Sequence, residues 1–165
     1  DPEMSRGLGD VYKRQLYYAQ PLTEKNVKVK LSDVSVKDWK TVGMPAEAAN
    51  AIDGDPQTVW TAKALTPLVV DMGKASEVIG FSYAPAQKED LTGTIYKYNF
   101  YVSIDGKNWT KCDAGGEFSN IMHNPVPYFV RFGKKYPARY FKLEPVAEIN
   151  NKPATTVGEV GILLK

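Results

Sequence analysis

Apolar side chains recur at every second position in this chain, in short runs that end at Gly, Pro, Asn or Asp. That period commits the chain to half-buried strands. Val27, Val29 and Leu31 alternate with Lys28 and Lys30, and Val34 and Val36 resume the alternation before Trp39. Leu68-Val69-Val70 runs to Met72-Gly73, and a second apolar run from Val78 to Tyr83 ends at Ala84-Pro85. Tyr96, Tyr98, Phe100 and Val102 share one strand face, with Lys97 and Asn99 between them. Asp105-Gly106-Lys107-Asn108 then signals a hairpin turn, and Trp109 opens the return strand. Tyr128 to Phe132, Tyr140 to Leu143 and Val157 to Leu164 complete the set. The Ala-rich stretch from Met44 to Ile52 reads as one or two helical turns. Many short strands and no long helix predict an all-β sandwich or barrel.

Composition removes several function classes. Hydrophobic residues are 43%, enough for a packed core. Lys and Arg number 21 against 19 Asp and Glu, a net charge of +2. That balance makes no electrostatic case for nucleic acid. No run of 18 apolar residues exists and no basic amphipathic stretch, so membrane insertion is not expected. The single cysteine, Cys112, allows neither an internal disulfide nor a multi-Cys metal site, and reads as a small buried hydrophobe. The single histidine, His123, leaves no basis for a zinc cluster or a catalytic triad. Gly80-Phe81-Ser82-Tyr83-Ala84 lacks the second glycine of a nucleophile elbow and reads as strand. Residues 1–15 show no periodicity and read as a non-native or disordered leader. Residues 16–40 read as linker and leading strand, and 41–165 as the domain.

Five segments carry a family resemblance, in one order. Ala51-Ile52-Asp53-Gly54-Asp55-Pro56-Gln57-Thr58-Val59-Trp60 resembles the opening signature of the coagulation factor V/VIII type C (discoidin) family. Leu68 to Gly73 resembles its L-V-V-D-L-G strand, with Met72 for Leu. Tyr98 to Trp109, with Ser103, Asp105 and Gly106, resembles its Y-x-x-x-x-S-x-D-G-x-x-W hairpin. Ala138 to Leu143 resembles its penultimate core strand, and Val157-Gly158-Glu159-Val160 its closing strand. Gly116 to Ile121, with Asn124-Pro125, is similar to the domain appended to bacterial α-L-fucosidases. The resemblance implies a jelly-roll β-sandwich of about eight antiparallel strands, like a family 32 carbohydrate-binding module. It implies a non-catalytic glycan binder beside a separate catalytic domain, in a secreted, periplasmic or surface protein of a bacterium.

The Asp53-Gly54-Asp55 turn offers two carboxylates two residues apart, and Thr58 adds a hydroxyl and a carbonyl. Calcium takes six to eight such hard oxygens. The same side chains can equally close turn hydrogen bonds of their own. The resemblance implies the first alternative, a structural Ca2+ whose shell is completed by the carbonyls of Asn50 and Gly158 and the carboxylate of Glu159.

A sugar site needs an aromatic face and a few fixed polar groups. Galactose-binding relatives use a His after the signature Trp, an Arg in a Pro-Arg pair, an Asn, and an aromatic before the final Glu. Here Thr61, Ala62 and Lys63 follow Trp60, the pair is Pro85-Ala86, and Asn150, Asn151 and Pro153 precede the final strand. The polar candidates for a galactose- or fucose-containing glycan are therefore Lys63, Gln87, Asp90 and Asn150. Each has a plain alternative as a solvated loop side chain. Trp39, Trp60 and Trp109 sit at strand ends or inside core motifs, where buried packing is expected. A domain that only packs on its catalytic neighbour is the rival reading.

Overall fold

The computed structural model describes residues 29–165, so the leader and the start of the first alternating run lie outside the described residues. Eight strands follow in order: β1 (Lys40–Thr41), β2 (Trp60–Ala62), β3 (Leu68–Ala84), β4 (Ile95–Ser103), β5 (Thr110–Glu117), β6 (Tyr128–Glu148), β7 (Thr155–Val157) and β8 (Glu159–Leu163). The Ala-rich stretch forms a 3-10 helix, Ala46–Ala51, between β1 and β2. The all-β expectation and its eight antiparallel strands hold.

Read from alternation alone, β3 and β6 are two strands each; the structure corrects this. They run antiparallel from Leu68 opposite Leu143 to Tyr83 opposite Tyr128. The register shifts between Asp71 and Ser76 and again between Val78 and Gly80. These are bulges, which bend a strand without ending it. Gly73, at φ +87, supplies the left-handed conformation there. The larger sheet has the order β1-β3-β6-β4-β5, and β8 pairs with the second half of β3. β2 and β7 form a separate two-stranded sheet.

The bend lays β3 over β4. Phe81 of β3 stacks on Phe100 of β4 with ring centroids 4.1 Å apart, and Phe100 stacks in turn on Phe141 of β6. Trp39 meets Phe141 edge-on. Phe118 and Ile121, just after β5, plug the same core and are each 1% exposed. Phe118 lies against Tyr98 and Tyr83 at 4.4 and 4.8 Å. Gly116 is required beside them, because a Cβ there would come within 2.6 Å of the Tyr98 ring.

The alternation at Val29 to Val36 makes no strand among the described residues. Side chains there take over the backbone's work. Ser32 Oγ accepts the N–H of Val34 at 3.2 Å and of Ile162 at 3.1 Å. The Asp33 carboxylate accepts the N–H of Leu164 at 2.8 Å, and Asp33 N–H donates to the carbonyl of Ile162. The segment thereby closes the β8 edge, which an unpaired strand would leave open.

Candidate functional site

The 3-10 helix delivers Asn50 to the Asp53 turn. Asp53 Oδ1 accepts the Asp55 N–H at 2.9 Å, and Asp55 Oδ1 accepts the Gln57 N–H at 2.9 Å. Both side chains therefore do close turn bonds. Thr58 is more informative. Its hydroxyl faces the Asp53 carboxylate, the Asp55 carbonyl at 2.9 Å and the Asn50 carbonyl at 3.3 Å. One hydroxyl proton cannot serve three acceptors; the Thr58 N–H serves the Asp55 carbonyl at 3.1 Å, which leaves the hydroxyl between the Asp53 carboxylate and the Asn50 carbonyl.

Glu159 reaches this turn from the start of β8. It is 2% exposed, and Oε2 accepts the Gly54 N–H at 2.8 Å. Its Oε1 is buried without a partner. Burial pushes the carboxyl up to about 8, and the nearby Asp53 and Asp55 add to the rise against the opposing Gly54 bond. Gly158 is forced to be glycine, since a Cβ would come within 2.8 Å of the Ala84 carbonyl and 3.0 Å of that of Pro85. The structure thus brings Asn50, Asp53, Asp55, Thr58 and Glu159 to one place, with Gly158 next in chain. Among the described residues no three His, Cys, Asp or Glu side chains form a metal-holding group. The oxygen set here draws instead on carbonyls and a hydroxyl, which suit a hard cation.

Three loops meet at the β2–β7 end. Thr155 Oγ1 donates to the Ala64 carbonyl at 2.8 Å and accepts the Thr66 N–H at 2.9 Å. Thr156 ties the next loop through Gly93 and Thr92, at 2.8 and 3.0 Å. Glu148, 2% exposed, accepts three backbone N–H groups, from Gly93 (2.8 Å), Asn150 (2.6 Å) and Lys152 (2.8 Å). One buried carboxylate therefore fixes two loops that are far apart in sequence. Sequence reasoning missed it; the available signal was an acid just ahead of Asn150-Asn151, where turn amides need an acceptor. The Tyr83 hydroxyl adds a second tie, donating to Thr156 and accepting from Ile95.

Lys63, Asp90 and Asn150 ride on these three loops, all exposed. Asp90 closes its own turn by accepting the Thr92 N–H, and the Thr92 side chain together with that N–H holds its carboxyl below the usual range. Gln87 is placed differently. Its amide donates to the carbonyls of Pro85 and Pro125 at 3.1 and 3.0 Å, which binds it to the loop after β5. Trp39 and Trp60 are buried, as their positions imply. Trp109 departs from that expectation. It is half-buried on the outer face, with Lys142 Nζ 4.6 Å from its ring centroid, because that face also carries Tyr101 under the same ammonium.

With this geometry in view, the comparisons with known proteins are consistent. The sequence profile described as F5/8 type C domain matches residues 32–160. A galactose oxidase of Gibberella zeae is 29% identical over 143 residues, 79% of this chain and 20% of that protein. A sialidase of Micromonospora viridifaciens is 24% identical over 143 residues, 82% of this chain and 21% of that protein. The chain thus spans about a fifth of the length of the curated relatives it matches. Among solved structures, the module CpGH89CBM32-5 of Clostridium perfringens, in complex with GalNAc-β-1,3-galactose, superposes with a TM-score of 0.68 at 22% identity, over 79% of this chain and 99% of that one. A protein of Bacteroides ovatus described as an α-L-fucosidase superposes with a TM-score of 0.63 at 34% identity, over 89% of this chain and 22% of that one. Since the profile match spans most of the chain, this chain belongs to the F5/8 type C domain family.

Proposed function

We propose that this chain is a non-catalytic carbohydrate-binding module that holds a bacterial glycoside hydrolase of the α-L-fucosidase kind near galactose- or fucose-containing glycans. The observation that carries the reading is the set of three loops stapled together by Glu148, Thr155 and Thr156 at one end of the sandwich. Such a preorganised loop cluster costs little ordering entropy when a ligand binds. Modules of this fold from Clostridium perfringens are complexed with GalNAc-β-1,3-galactose and with galactose, which supports the ligand class. The likeness to the Bacteroides ovatus protein, of which this chain spans about a fifth, supports the parent enzyme. Lys63, Asp90 and Asn150 would contact the sugar, with Gln87 at the margin. Such a module acts in a secreted, periplasmic or surface-bound enzyme.

A structural calcium belongs to the same reading. The donor set fits it: Asn50, Asp53, Asp55, Thr58, Gly158 and Glu159 would hold the ion. The unpartnered Glu159 oxygen is the group most in need of a cation. The ion would supply charge neutralisation and a cross-link between the Asp53 turn and β8.

Calorimetric titration with galactose, fucose and a fucosylated oligosaccharide, each with calcium and with chelator, tests the proposal. Saturable binding by any of them supports it. A folded, calcium-stabilised protein that takes up none at millimolar concentration overturns it. That result would favour an accessory domain that packs on its enzyme, a reading suited to Gln87 and Asp90, whose polar groups already close local bonds.

A further inference from the structure

A cleft of about 340 Å³ lies beside β1, apart from the loop cluster, and no sugar or metal residue discussed above lines it. Its walls come from the segment leading into β1, from β3 and from β6. They include Lys37, Asp38, Trp39, Lys40, Asp71 and Arg139. The backbone places them together: Lys40 stands opposite Asp71 in the β1–β3 ladder, and Asp71 opposite Tyr140, the neighbour of Arg139.

The charge arrangement is specific. Arg139 grips Asp71 through Nε and Nη2, at 2.9 and 3.1 Å. Asp71 Oδ1 also accepts the Gly73 N–H at 2.8 Å. One carboxylate of the cleft is therefore largely committed, and Asp38 alone balances the rest. Lys37 and Lys40 make no ion pair among the described residues. Trp39 is 7% exposed, and its indole N–H is buried with no hydrogen-bond partner. Donors thus outnumber acceptors: two ammonium groups and the remaining Arg139 N–H groups stand against one uncommitted carboxylate. A donor-rich concavity recognises an anion, because each contact is a charge-assisted hydrogen bond. Its volume lies at the small end of ligand pockets, ~300–1,000 Å³. It suits a single ring better than an extended chain.

We propose that this cleft is a second, anion-selective saccharide subsite that takes a carboxylate-bearing monosaccharide unit of the uronic acid class. Lys37, Lys40 and Arg139 meet the carboxylate, and Asp38 accepts from ring hydroxyls. The choice of a sugar as the carrier of the carboxylate rests on the carbohydrate-binding reading; the choice of an anion rests on the cleft alone. The two sites are physically separate, so an acidic glycan could be held at both.

Two-dimensional NMR of the full chain, titrated separately with galacturonate, galactose and acetate, tests this. The readouts are the indole N–H signal of Trp39 and the Nε–H signal of Arg139. Galacturonate should shift both at millimolar concentration, galactose neither, and acetate should need at least about tenfold more. The Lys37→Gln/Lys40→Gln variant, altered at exposed positions outside the core, should weaken galacturonate binding about tenfold or more and leave any galactose response at the loop cluster unchanged. Added salt should weaken galacturonate binding alone. If galacturonate leaves both signals in place while galactose perturbs Lys63 or Asn150, the cleft proposal falls and the carbohydrate-binding reading stands. If galacturonate shifts the cleft and no neutral sugar shifts the loops, the subsite stands without the loop site. Acetate acting as strongly as galacturonate overturns the saccharide assignment.

Discussion

Glu159 is a buried acid with one oxygen bonded and one bare, beside two other carboxylates. Its folded-state pKa, about 8, lies above its ordinary value of 4.5. The folded protein therefore holds a proton that the unfolded chain has released. Without metal, this group's contribution to stability is complete below about pH 4.5 and is lost as pH rises through 8. Thermal melts with chelator should show Tm falling across that window. Calcium in excess should flatten the decline, since the cation takes the proton's place. Glu159→Gln keeps an acceptor for the Gly54 N–H and carries no charge. It should remove both the calcium response and this pH dependence, without lowering the metal-free Tm. A variant that still gains stability from calcium would show that the ion sits elsewhere. Glu148 presents the opposite case, because its oxygens are fully used. Glu148→Ala strands three backbone N–H groups and should cost about 3 kcal/mol or more in a urea melt. A loss under 1 kcal/mol would mean that water replaces the carboxylate.

At the scale of elements, the legible part of this fold was the alternation wherever a strand has one buried and one exposed face. Tyr98, Phe100 and Val102 point inward as their period implies. Two kinds of error remain, and both have a cause. Met72-Gly73 looks like a strand end, but glycine at positive φ serves a bulge as well as a turn. Val29 to Val36 alternates like a strand, but Ser32 and Asp33 satisfy the β8 edge with side chains that no period reveals. The Asp53 turn was readable because Asp53, Asp55 and Thr58 lie within a few residues of one another, whereas Glu159, 105 residues from Gly54, was reached only through the family resemblance. The Glu148 staple was not readable, because Gly93 stands 55 residues away. The segment before β1 is also where a structural prediction is sharpest. Ser82 Oγ donates to the Leu31 carbonyl at 2.6 Å, and Trp39 is a core residue. A chain starting at residue 41 loses both, and burial of a Trp alone is worth about 3–5 kcal/mol. It should unfold at far lower urea than a chain starting at residue 29. Equal midpoints would show that the segment is a passenger. Gly80→Ala should be comparably damaging, since a Cβ there collides with the Val130 carbonyl across the β3–β6 ladder.

For the whole molecule, the question is whether the Asp53 turn, as the proposed cation site, and the loop cluster act together. They share strands. Trp60 at the head of β2 pairs with Val157 of β7, and Gly158 alone separates Val157 from Glu159. Gly158 N–H donates to the Ala84 carbonyl, where the loop bearing Gln87 and Asp90 begins. A cation at the Asp53 turn would thus brace β2 and the β7–β8 junction, next to the three loops of the proposed sugar site. Calcium at a hundredfold excess over its dissociation constant should stabilise the fold by about 2.7 kcal/mol, a rise in Tm of roughly 5–10 °C for a domain of this size. The effect on sugar should be smaller and indirect, because none of the proposed metal ligands is among the proposed sugar contacts. Chelation should weaken galactose or fucosyl-glycan binding by about three- to tenfold, measured by calorimetry below the melting range. Glu159→Gln, which relieves the buried charge without the ion, should recover most of that loss in the presence of chelator. Glu148→Ala should not be rescued by calcium, because it releases the loops themselves. If chelation abolishes sugar binding outright and Glu159→Gln recovers none of it, the ion would be touching the sugar, and the separation of bracing end from binding end would be wrong.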